Sequence, residues 1–573
     1  MNSLHYQQFS KSFVPSSFTS FISSTEDIKT VVAIDLGTTY CSFAYASKKS
    51  PNEIEINTRW NDIKELPKTN IALLYDNSCN EVLKWGESAL LHEEKKRIRI
   101  TPKYYHMVER FTLYLDDIIT ERPHLPSKLN YKKAIIDYLK KMKEIIEETL
   151  DKRWPGLKLT QILWVLCVPA EWGPRAKAII RDCIYKAELL NESIGSHLTF
   201  TTKPEAAAIY CLSVIEEHKL TVGDTFLMVD CGGETVDLTM RTIQIGNRLK
   251  EETESIGDLC GSTFIDQEFL HFLGNTVGIN ALQKLRIGDL QRLVRRFFCQ
   301  TVKFPFTGDP DEFETIELDL ERQCPSLIQY ITGVQRTYLE NSKWIIELDF
   351  ETIKKMFDPI IDKIIKLINI QLLDLPNRHK CKAMFLVGGF SESPYLIKRV
   401  KERFQGRIPV IAFPQHPMVA SVKGAVAYGL NMKIIESRVL KWTYGVGVKA
   451  DFDIRNDPPS FRKSDNKIWK FSLLAVRGTQ VMVNKTFCKY FMPINSGQTV
   501  AALRIYITKE RQPKYIDETG MQLLGTLKID LLKSSNRSVK FELTFGTMEI
   551  KATAKNELTN ETYHTTFEYQ SSE

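Results

Sequence analysis

The chain has 573 residues, of which 43% are hydrophobic and 26% charged, and these ordinary globular values exclude disordered and fibrous classes. Its formal charge of +7 comes without a long basic run, and no stretch of 18 consecutive apolar residues occurs, so we expect neither a nucleic-acid nor a membrane partner. The 11 cysteines form no C-x-x-C pair, which favours buried free thiols in a reducing compartment and predicts a cytoplasmic location.

The N-terminal residues 1–28 are rich in Ser and Phe and are predicted to form a flexible tail. They lack the apolar core of a signal peptide and the arginines of a transit peptide. After this tail, buried apolar runs alternate with stretches of helical spacing, which indicates an α/β architecture. Strands are predicted at residues 31–34, 42–46, 162–168, 226–229 and 384–387, and helices at residues 131–150, 174–189 and 205–214.

From about residue 444 onward the helical patterning nearly disappears. Short apolar runs separated by turn residues, such as 501–507 and 540–545, predict strands instead. We therefore predict a boundary near residue 438. It divides the chain into residues 29–437, of the α/β type, and residues 438–573, which are β-rich.

One motif occurs twice in the first part. Residues 31–39 and 226–235 both read as an apolar strand, an Asp, a spacer, a Gly and a hydroxyl residue: VVAIDLGTT and FLMVDCGGET. The copies lie too far apart for a solenoid repeat. They predict two similar lobes, each presenting an Asp–Gly turn to one cleft.

Turns of this kind suit a bound Mg²⁺–nucleotide. Glycine lets the backbone N–H groups approach an anion closely, and threonine adds a hydroxyl donor. A carboxylate at the strand end suits a hydrated Mg²⁺ ion. The candidate phosphate-binding residues are Gly37, Thr38, Thr39, Gly232, Gly233 and Thr235, and the candidate metal-binding and catalytic carboxylates are Asp35 and Asp230.

A third glycine turn follows the predicted strand at 384–387. Gly388 and Gly389 would let a base or a ribose lie against the backbone, and Ser391 belongs to the same turn. Other nucleotide-binding motifs do not occur in the sequence. There is no P-loop sequence, and the glycine pattern at 445–450 is not followed by a helix, as a dinucleotide fingerprint requires.

These motifs resemble those of the heat-shock 70-kDa chaperone family. Residues 34–40 and 229–237 resemble its two phosphate motifs, and residues 386–391 resemble its adenosine motif. Residues 168–172, 203–208 and 424–429 resemble its connecting segments, and order and spacing match over roughly residues 30–436. The Asp-Cys-Gly-Gly pattern and the Pro-Glu-Ala-Ala-Ala run most closely resemble the divergent twelfth subgroup of that family.

The resemblance implies a two-lobed actin-like nucleotide-binding domain, of the duplicated ribonuclease H-like type, with ATP or ADP and Mg²⁺ as cofactors. It adds Tyr40, Gly261 and Lys303 to the candidate nucleotide contacts. Residues 491–499, 523–525 and 548–554 resemble strands of the peptide-binding β-sandwich, which implies client polypeptides as partners. The family's helical lid and acidic tail are not expected here.

Departures from the family pattern bear on catalysis. Lys203 stands where the family has a Glu, Glu234 replaces the third Gly of the second phosphate loop, and Cys299 replaces a Glu that contacts adenosine. The family's hydrolytic lysine is expected within residues 109–112, where none occurs. Lys203 is therefore a candidate catalytic residue, and we expect ATP binding with slow hydrolysis.

Three functions remain open from the sequence. The first is a chaperone-type ATPase whose slow hydrolysis is coupled to client binding. The second is a nucleotide-sensing interaction protein with little or no hydrolysis, and the third is a small-molecule kinase of the sugar-kinase type. The β-rich ending argues against the third function, because sugar kinases share the two-lobed cleft but not a β-sandwich.

Overall fold

The structure is a computed structural model that describes residues 28–61, 63–95, 105–115, 122–212, 216–376, 380–493, 497–531, 538–556 and 562–565. The predicted tail at 1–28 lies outside the described residues apart from Ile28. Residues 494–496 of the segment 491–499 lie outside them as well.

The first lobe is built around a sheet whose central strand, Thr30–Leu36, is buried along its whole length. This strand runs parallel to Ile162–Val168 on one side and antiparallel to Tyr40–Ser47 on the other. The strands in spatial order are Leu198–Thr202, Ile162–Val168, Thr30–Leu36, Tyr40–Ser47 and Glu55–Ile56, with Thr69–Asn70 paired to Tyr40–Ser47.

Two helices cover this sheet and agree with the helices predicted from the sequence. Tyr131–Arg153 begins after Asn130, whose side chain accepts the backbone N–H of Lys132 and so satisfies one free donor of the first turn. Pro174–Lys186 has proline at its first position, where the missing N–H costs no hydrogen bond. The apolar faces of both helices enter one core with the sheet.

The second lobe repeats the arrangement around the strand Thr225–Cys231. This strand is also fully buried, with a parallel neighbour, Cys381–Val387, and an antiparallel one, Thr235–Gln244. The strands in spatial order are Val410–Ala412, Cys381–Val387, Thr225–Cys231, Thr235–Gln244, Arg248–Glu251, Ile435–Val439 and Gln480–Met482, with Ile256–Leu259 paired to Thr235–Gln244. The duplication seen in the sequence is thus a duplication of strand topology.

Two helices of small residues lie between the sheets and form the base of the cleft. Lys203–Cys211 and Ala420–Leu430 share a core with residues from both lobes. A Cβ atom added to Gly424 would lie 1.7 Å from the carbonyl oxygen of Ala206, so a side chain at this position would force the helices apart. The alanines and this glycine therefore set the distance between the lobes.

The remaining helices lie mostly in the second lobe and the small sheets in both. The helices are Glu87–Lys95, Thr263–Val277, Ile279–Gln283, Ile287–Arg292, the π-helical segment Leu293–Lys303, Leu320–Gln323, Pro325–Ile328, Gly333–Asn341, Phe350–Asp374 and Pro394–Phe404. The small sheets consist of Arg59–Trp60 with Ile63–Lys64, Ile316–Asp319 with Ile345–Leu348, and Ala72–Asp76 between Val82–Trp85 and Tyr105–Glu109.

The C-terminal part contains two antiparallel sheets that share one apolar core. One consists of Lys467–Ala475, Thr443–Asp451, Val500–Thr508 and Gln522–Asp530, and the other of Lys485–Phe491, Val539–Phe545, Lys551–Asn556 and Thr562–Thr565. The predicted boundary at 437/438 falls within the strand Ile435–Val439, which the second-lobe sheet and Gln480–Met482 share. The division into domains at this point stays a prediction.

A buried charge cluster joins the central helix to the C-terminal part. The carboxylate of Glu205 is fully buried and accepts hydrogen bonds from Arg438 Nη2 at 2.7 Å and Nε at 2.9 Å. Arg241 Nη2 donates to it at 3.3 Å, and Arg438 also donates to the carbonyl of Gly546. Burial alone would raise the pKa of Glu205, but the guanidinium groups of Arg438 and Arg241 outweigh this and lower it.

We predict that Arg438→Met destabilises the protein by about 3–5 kcal/mol, because it leaves a buried carboxylate without its principal partner. Denaturant unfolding followed by circular dichroism measures the change. Lys467→Met is the matched control, since Lys467 pairs with the largely exposed Asp451 and its loss should cost less than about 1 kcal/mol. Equal losses for the two variants would contradict this role of Arg438.

Candidate nucleotide-binding site

A cavity of about 1070 Å³ lies between the lobes and is lined from both sides. Most of the candidate residues line it: Asp35, Gly37, Thr38, Thr39, Tyr40, Lys203, Asp230, Gly232, Gly233, Thr235, Lys303, Gly388 and Gly389. Gly261 and Ser391 lie behind this lining. Gly261 donates its N–H to the carbonyl of Glu234, and Ser391 donates its hydroxyl to the carbonyl of Val387. Both support the glycine turns, and their contact with nucleotide stays a prediction.

The two Asp–Gly turns have the same geometry and face each other. Gly37 donates its N–H to the carbonyl of Tyr40 at 3.1 Å, and Gly232 donates to the carbonyl of Thr235 at 2.9 Å. A Cβ atom on Gly233 would lie 2.9 Å from Thr39 Oγ1 in the opposite turn. Glycine at position 233 therefore allows the two turns to meet.

The third turn packs against the end of the second-lobe strand. Gly388 has a φ of +85°, in the left-handed region that favours glycine. A Cβ atom there would lie 2.6 Å from Asp230 Oδ1 and 2.3 Å from the carbonyl oxygen of Cys231. The three glycine turns thus form one continuous wall of backbone around Asp230.

Asp35 is held between two ammonium groups. Lys68 Nζ donates to Oδ2 at 3.0 Å, and Lys203 Nζ lies 3.1 Å from Oδ1. Burial would raise the pKa of Asp35, but these ammonium groups together outweigh burial and lower it. Lys203 is the first residue of the helix Lys203–Cys211, and Lys68 lies just before the strand Thr69–Asn70. Lys68 belongs to no recognisable sequence motif, so it was not among the residues predicted from the sequence.

Asp230 has different surroundings. Ser421 donates its hydroxyl to Oδ2 at 2.9 Å, and burial raises the pKa of Asp230 despite the nearby ammonium of Lys203. Among the described residues, no group of three or more His, Cys, Asp or Glu side chains is placed to hold a metal ion. Since both oxygens of Asp35 already face ammonium groups, this arrangement does not fit a directly coordinated Mg²⁺. The metal-binding role of Asp35 and Asp230 stays a prediction.

Glu234 forms a buried ion pair across the cleft. Its carboxylate, 1% exposed, accepts from Arg110 Nη2 at 2.8 Å, and Arg110 Nε lies 2.7 Å from the other oxygen. Burial raises the pKa of Glu234, and the guanidinium of Arg110 opposes that rise. Arg110 comes from the segment where the sequence analysis expected a hydrolytic lysine. Its partner could not be identified from the sequence, because the two residues lie in different lobes.

Further contacts hold the lobes together at the outer rim of the cleft. Arg295 Nη2 donates to Glu87 Oε1 at 2.5 Å, and Gln291 Nε2 donates to Glu109 Oε2 at 2.7 Å. In each pair one residue belongs to the first lobe and the other to the second. These two contacts bridge the lobes across the rim of the cleft.

The π-helical segment Leu293–Lys303 brings Cys299 and Lys303 to the cavity. Lys303 Nζ donates to Asp266 Oδ1 at 2.5 Å, and Cys299 Sγ lies 3.5 Å from the same oxygen. Burial raises the pKa of Cys299 to about 12, so its side chain is a neutral thiol. Lys303 is thus one of three cationic residues that this segment brings to the cavity wall, with Arg295 and Arg296. Its contact with the base or ribose stays a prediction.

The fold and the cleft together define a two-lobed α/β protein, consistent with the actin-like fold. The chain is similar to heat shock 70 kDa protein 12A of Homo sapiens, with 24% identity over an alignment of 625 positions that covers 93% of this chain and 90% of the relative. The Mus musculus protein 12A gives the same figures, and heat shock 70 kDa protein 12B of Homo sapiens is 23% identical over an alignment of 645 positions, covering 94% and 91%. No protein-family model matches the chain.

These similarities confirm the resemblance to the heat-shock 70-kDa family and to its twelfth subgroup. They extend over nearly the whole chain. In the sequence, the order and spacing of the motifs match over roughly residues 30–436, and the C-terminal segments 491–499, 523–525 and 548–554 match more weakly. None of the helices within the described ranges combines the length and apolar character that crossing a bilayer needs. The cytoplasmic location stays a prediction.

We predict that the Arg110–Glu234 pair is energetically coupled. Arg110→Met should destabilise the protein more than Glu234→Gln, because only the first variant leaves a buried charge without its partner. Adding Glu234→Gln to Arg110→Met should recover about 1 kcal/mol in a double-mutant cycle of unfolding free energies.

The same pair predicts a pH dependence. In the parent, the guanidinium of Arg110 opposes the rise that burial causes in the pKa of Glu234. In Arg110→Met this opposition is lost, so the pKa of Glu234 in the folded state lies further above its value in the unfolded chain and the folded state binds the proton more tightly. The stability deficit of Arg110→Met relative to the parent should therefore shrink as pH falls from about 7 towards 5. A deficit that is constant with pH, together with additive effects in the cycle, would contradict the pairing.

Proposed function

We propose that this chain is an ATP-binding protein that holds the nucleotide between its two lobes. The observation that carries the proposal is the meeting of two Asp–Gly turns with the same hydrogen-bond pattern in one cavity, with Gly233 against Thr39. The first turn brings Thr38 and Thr39 to the cavity and the second brings Thr235. We infer that these turns receive the phosphate oxygens. The cavity volume lies at the upper end of the range of small-molecule sites, which suits a nucleotide.

The basic side chains of the cavity offer partners for a polyphosphate ligand. Six of them line it together with eight acidic residues, and the six are Lys68, Arg110, Lys203, Arg295, Arg296 and Lys303. We infer that the phosphates bind near Lys68 and Lys203 and that the adenosine lies between Gly388–Gly389 and Lys303. The predicted contacts of Tyr40 and Thr235 belong to the phosphate side.

We further propose that nucleotide binding is coupled to the C-terminal part, which would bind client polypeptides. Three cross-contacts support the coupling: Arg438 with Glu205, Arg181 Nε with Glu549 at 2.8 Å, and Lys441 Nζ with the carbonyl of Ala170 at 2.9 Å. Glu205 lies one helical turn or less from Lys203, so a shift of Lys203 towards a phosphate would reach the contact with Arg438. The identity of the C-terminal part as a peptide-binding β-sandwich rests on its two sheets and shared core.

We propose that hydrolysis is slow. Arg110 occupies the segment of the expected hydrolytic lysine but pairs with Glu234, and Asp35 is neutralised by Lys68 and Lys203. Both groups would have to exchange partners before they could act on a phosphate or on an attacking water. The same observations favour the second candidate, a nucleotide-sensing interaction protein. The sugar-kinase alternative gains no support from them.

We predict one ATP site per chain. Calorimetry should detect it, and ATP at 100 times its Kd should stabilise the native state by about 2.7 kcal/mol. Gly233→Ala should weaken binding at least tenfold, because the added methyl group would lie against Thr39 and separate the turns. Gly406→Ala is the matched control, since a Cβ atom there meets nothing within 4 Å. Absence of heat and of stabilisation at millimolar ATP would overturn the proposal.

We predict that ATP turnover is slow and that the double variant Lys203→Glu with Glu234→Gly raises it. The variant restores an acidic group at the cleft base and releases Arg110 from its buried partner. Because one preorganised contact to the transition state is typically worth a factor of about 10²–10³, the increase should be easily measured by phosphate release. If instead the parent hydrolyses ATP at ordinary rates for its family and Lys203→Glu alone abolishes this, Lys203 is a catalytic lysine and the impairment proposed here is wrong.

A further inference from the structure

The charge distribution at the base of the cleft is unusual for a site that would use a divalent cation. Lys68 and Lys203 come from separate elements and converge on the two oxygens of one carboxylate, Asp35. Their side chains are only 16% and 15% exposed. The two positive charges therefore lie inside the protein, with little contact with solvent. Together they supply the charge of one divalent ion.

The ammonium of Lys203 lies at the first glycine turn itself. A Cβ atom added to Gly37 would be 2.9 Å from Lys203 Nζ, which places this cation beside the backbone N–H groups that would receive a phosphate. Burial would lower the pKa of Lys203, but the carboxylates of Asp35 and Asp230 outweigh it and raise the pKa.

A hydrated magnesium ion would need the space next to Asp35 that the ammonium groups of Lys68 and Lys203 occupy. Mg²⁺ is bound through carboxylate oxygens, either directly or through the waters it retains. At Asp35, Oδ2 already accepts from Lys68, and Oδ1 faces the ammonium of Lys203 at 3.1 Å without a hydrogen bond. A bound cation would also have to lie near these two positive charges, which are only partly screened inside the cleft.

We propose that this chain binds the polyphosphate of its nucleotide without a divalent metal ion, with Lys68 and Lys203 supplying the positive charge between Asp35 and the phosphate oxygens. The inference deepens the proposed function and rests on it. An ammonium has three N–H donors, so each lysine can keep its contact with Asp35 and donate to a phosphate oxygen as well.

The frame that holds Lys203 is suited to this role. Lys203 starts the helix Lys203–Cys211, whose first turn is capped by the side chain of Thr202. Two residues further along, Glu205 is fixed by Arg438 and Arg241. The helix cap and the buried contacts of Glu205 thus hold Lys203 at the base of the cleft. A fixed cation costs less to bring to a phosphate than a metal ion that must first shed part of its hydration.

Calorimetry on the full chain tests the proposal, with ATP in excess EDTA compared with ATP in excess MgCl₂. We expect the two Kd values to agree within about threefold. Lys68→Met and Lys203→Met should each weaken binding in EDTA at least tenfold, because each removes a charge-assisted contact. Lys463→Met is the control, since Lys463 is a more exposed lysine of the C-terminal part that pairs with Asp517.

The variant Lys68→Ser with Lys203→Glu separates the roles of charge and of folding. It removes both ammonium groups and supplies a second carboxylate, so its ATP binding should become at least tenfold tighter in MgCl₂ than in EDTA. Circular dichroism and melting temperatures show whether each variant is folded, and a variant that is folded in the absence of ligand gives a valid comparison.

The outcomes distinguish a failure of the proposed function from a failure of the metal-free binding mode. If ATP binds in neither condition, the proposed function itself is wrong. If the parent binds ATP only with MgCl₂, the function stands and the metal-free mode is overturned in favour of a site on Asp35 and Asp230. If binding is independent of the metal but is unaffected by either lysine substitution, the assignment to Lys68 and Lys203 is overturned.

Discussion

The relative position of the two lobes depends on the contact between the helices Lys203–Cys211 and Ala420–Leu430, which carry only small side chains where they meet. Gly424 lies directly over the carbonyl of Ala206, and the neighbouring alanines fill the space between the two sheets. Because protein interiors are close-packed, a methyl group here would be felt at both sheets. The close packing of the two helices brings the strand ends at Asp35 and Asp230 to one cleft. The geometry of the site therefore depends on packing at the base of the cleft.

Charge is the second organising feature, and it is arranged in pairs across element boundaries. Asp35, Glu205 and Glu234 are buried carboxylates, and each is matched by cations that come from elsewhere in the chain. Burying a carboxylate is costly unless it is paired and hydrogen-bonded, so each pair also fixes the elements that carry it. The central helix contributes to two of these clusters within its first turn, through Lys203 and Glu205. The residue proposed to meet the phosphates, Lys203, and the residue that attaches the C-terminal part, Glu205, therefore lie on the same helix.

What could be predicted from the sequence was local in origin. The strands that end in Asp35 and Asp230 and their glycine turns are encoded by contiguous residues, and the structure contains them where they were expected. Lys68, Arg110 and Arg438 were missed because nothing in their neighbouring residues distinguishes them. Their importance comes from partners in other elements: Asp35, Glu234 and Glu205. A substitution against the family pattern, such as Glu234, could be noticed in the sequence, but the charge that compensates it could not be located.

The strand Gln480–Met482 has a consequence for how the protein is made. It forms the outer edge of the second-lobe sheet by pairing with Ile435–Val439, although it belongs to the later, β-rich stretch of the chain. Ribosomes release a chain from its N-terminus, at about 5–20 residues per second. Until residue 482 has emerged, the edge formed by Ile435–Val439 is unpaired, and such edges are prone to pair with other chains. The second-lobe sheet is therefore complete only after part of the β-rich stretch has been synthesised, and the nascent chain keeps an unpaired strand edge until then.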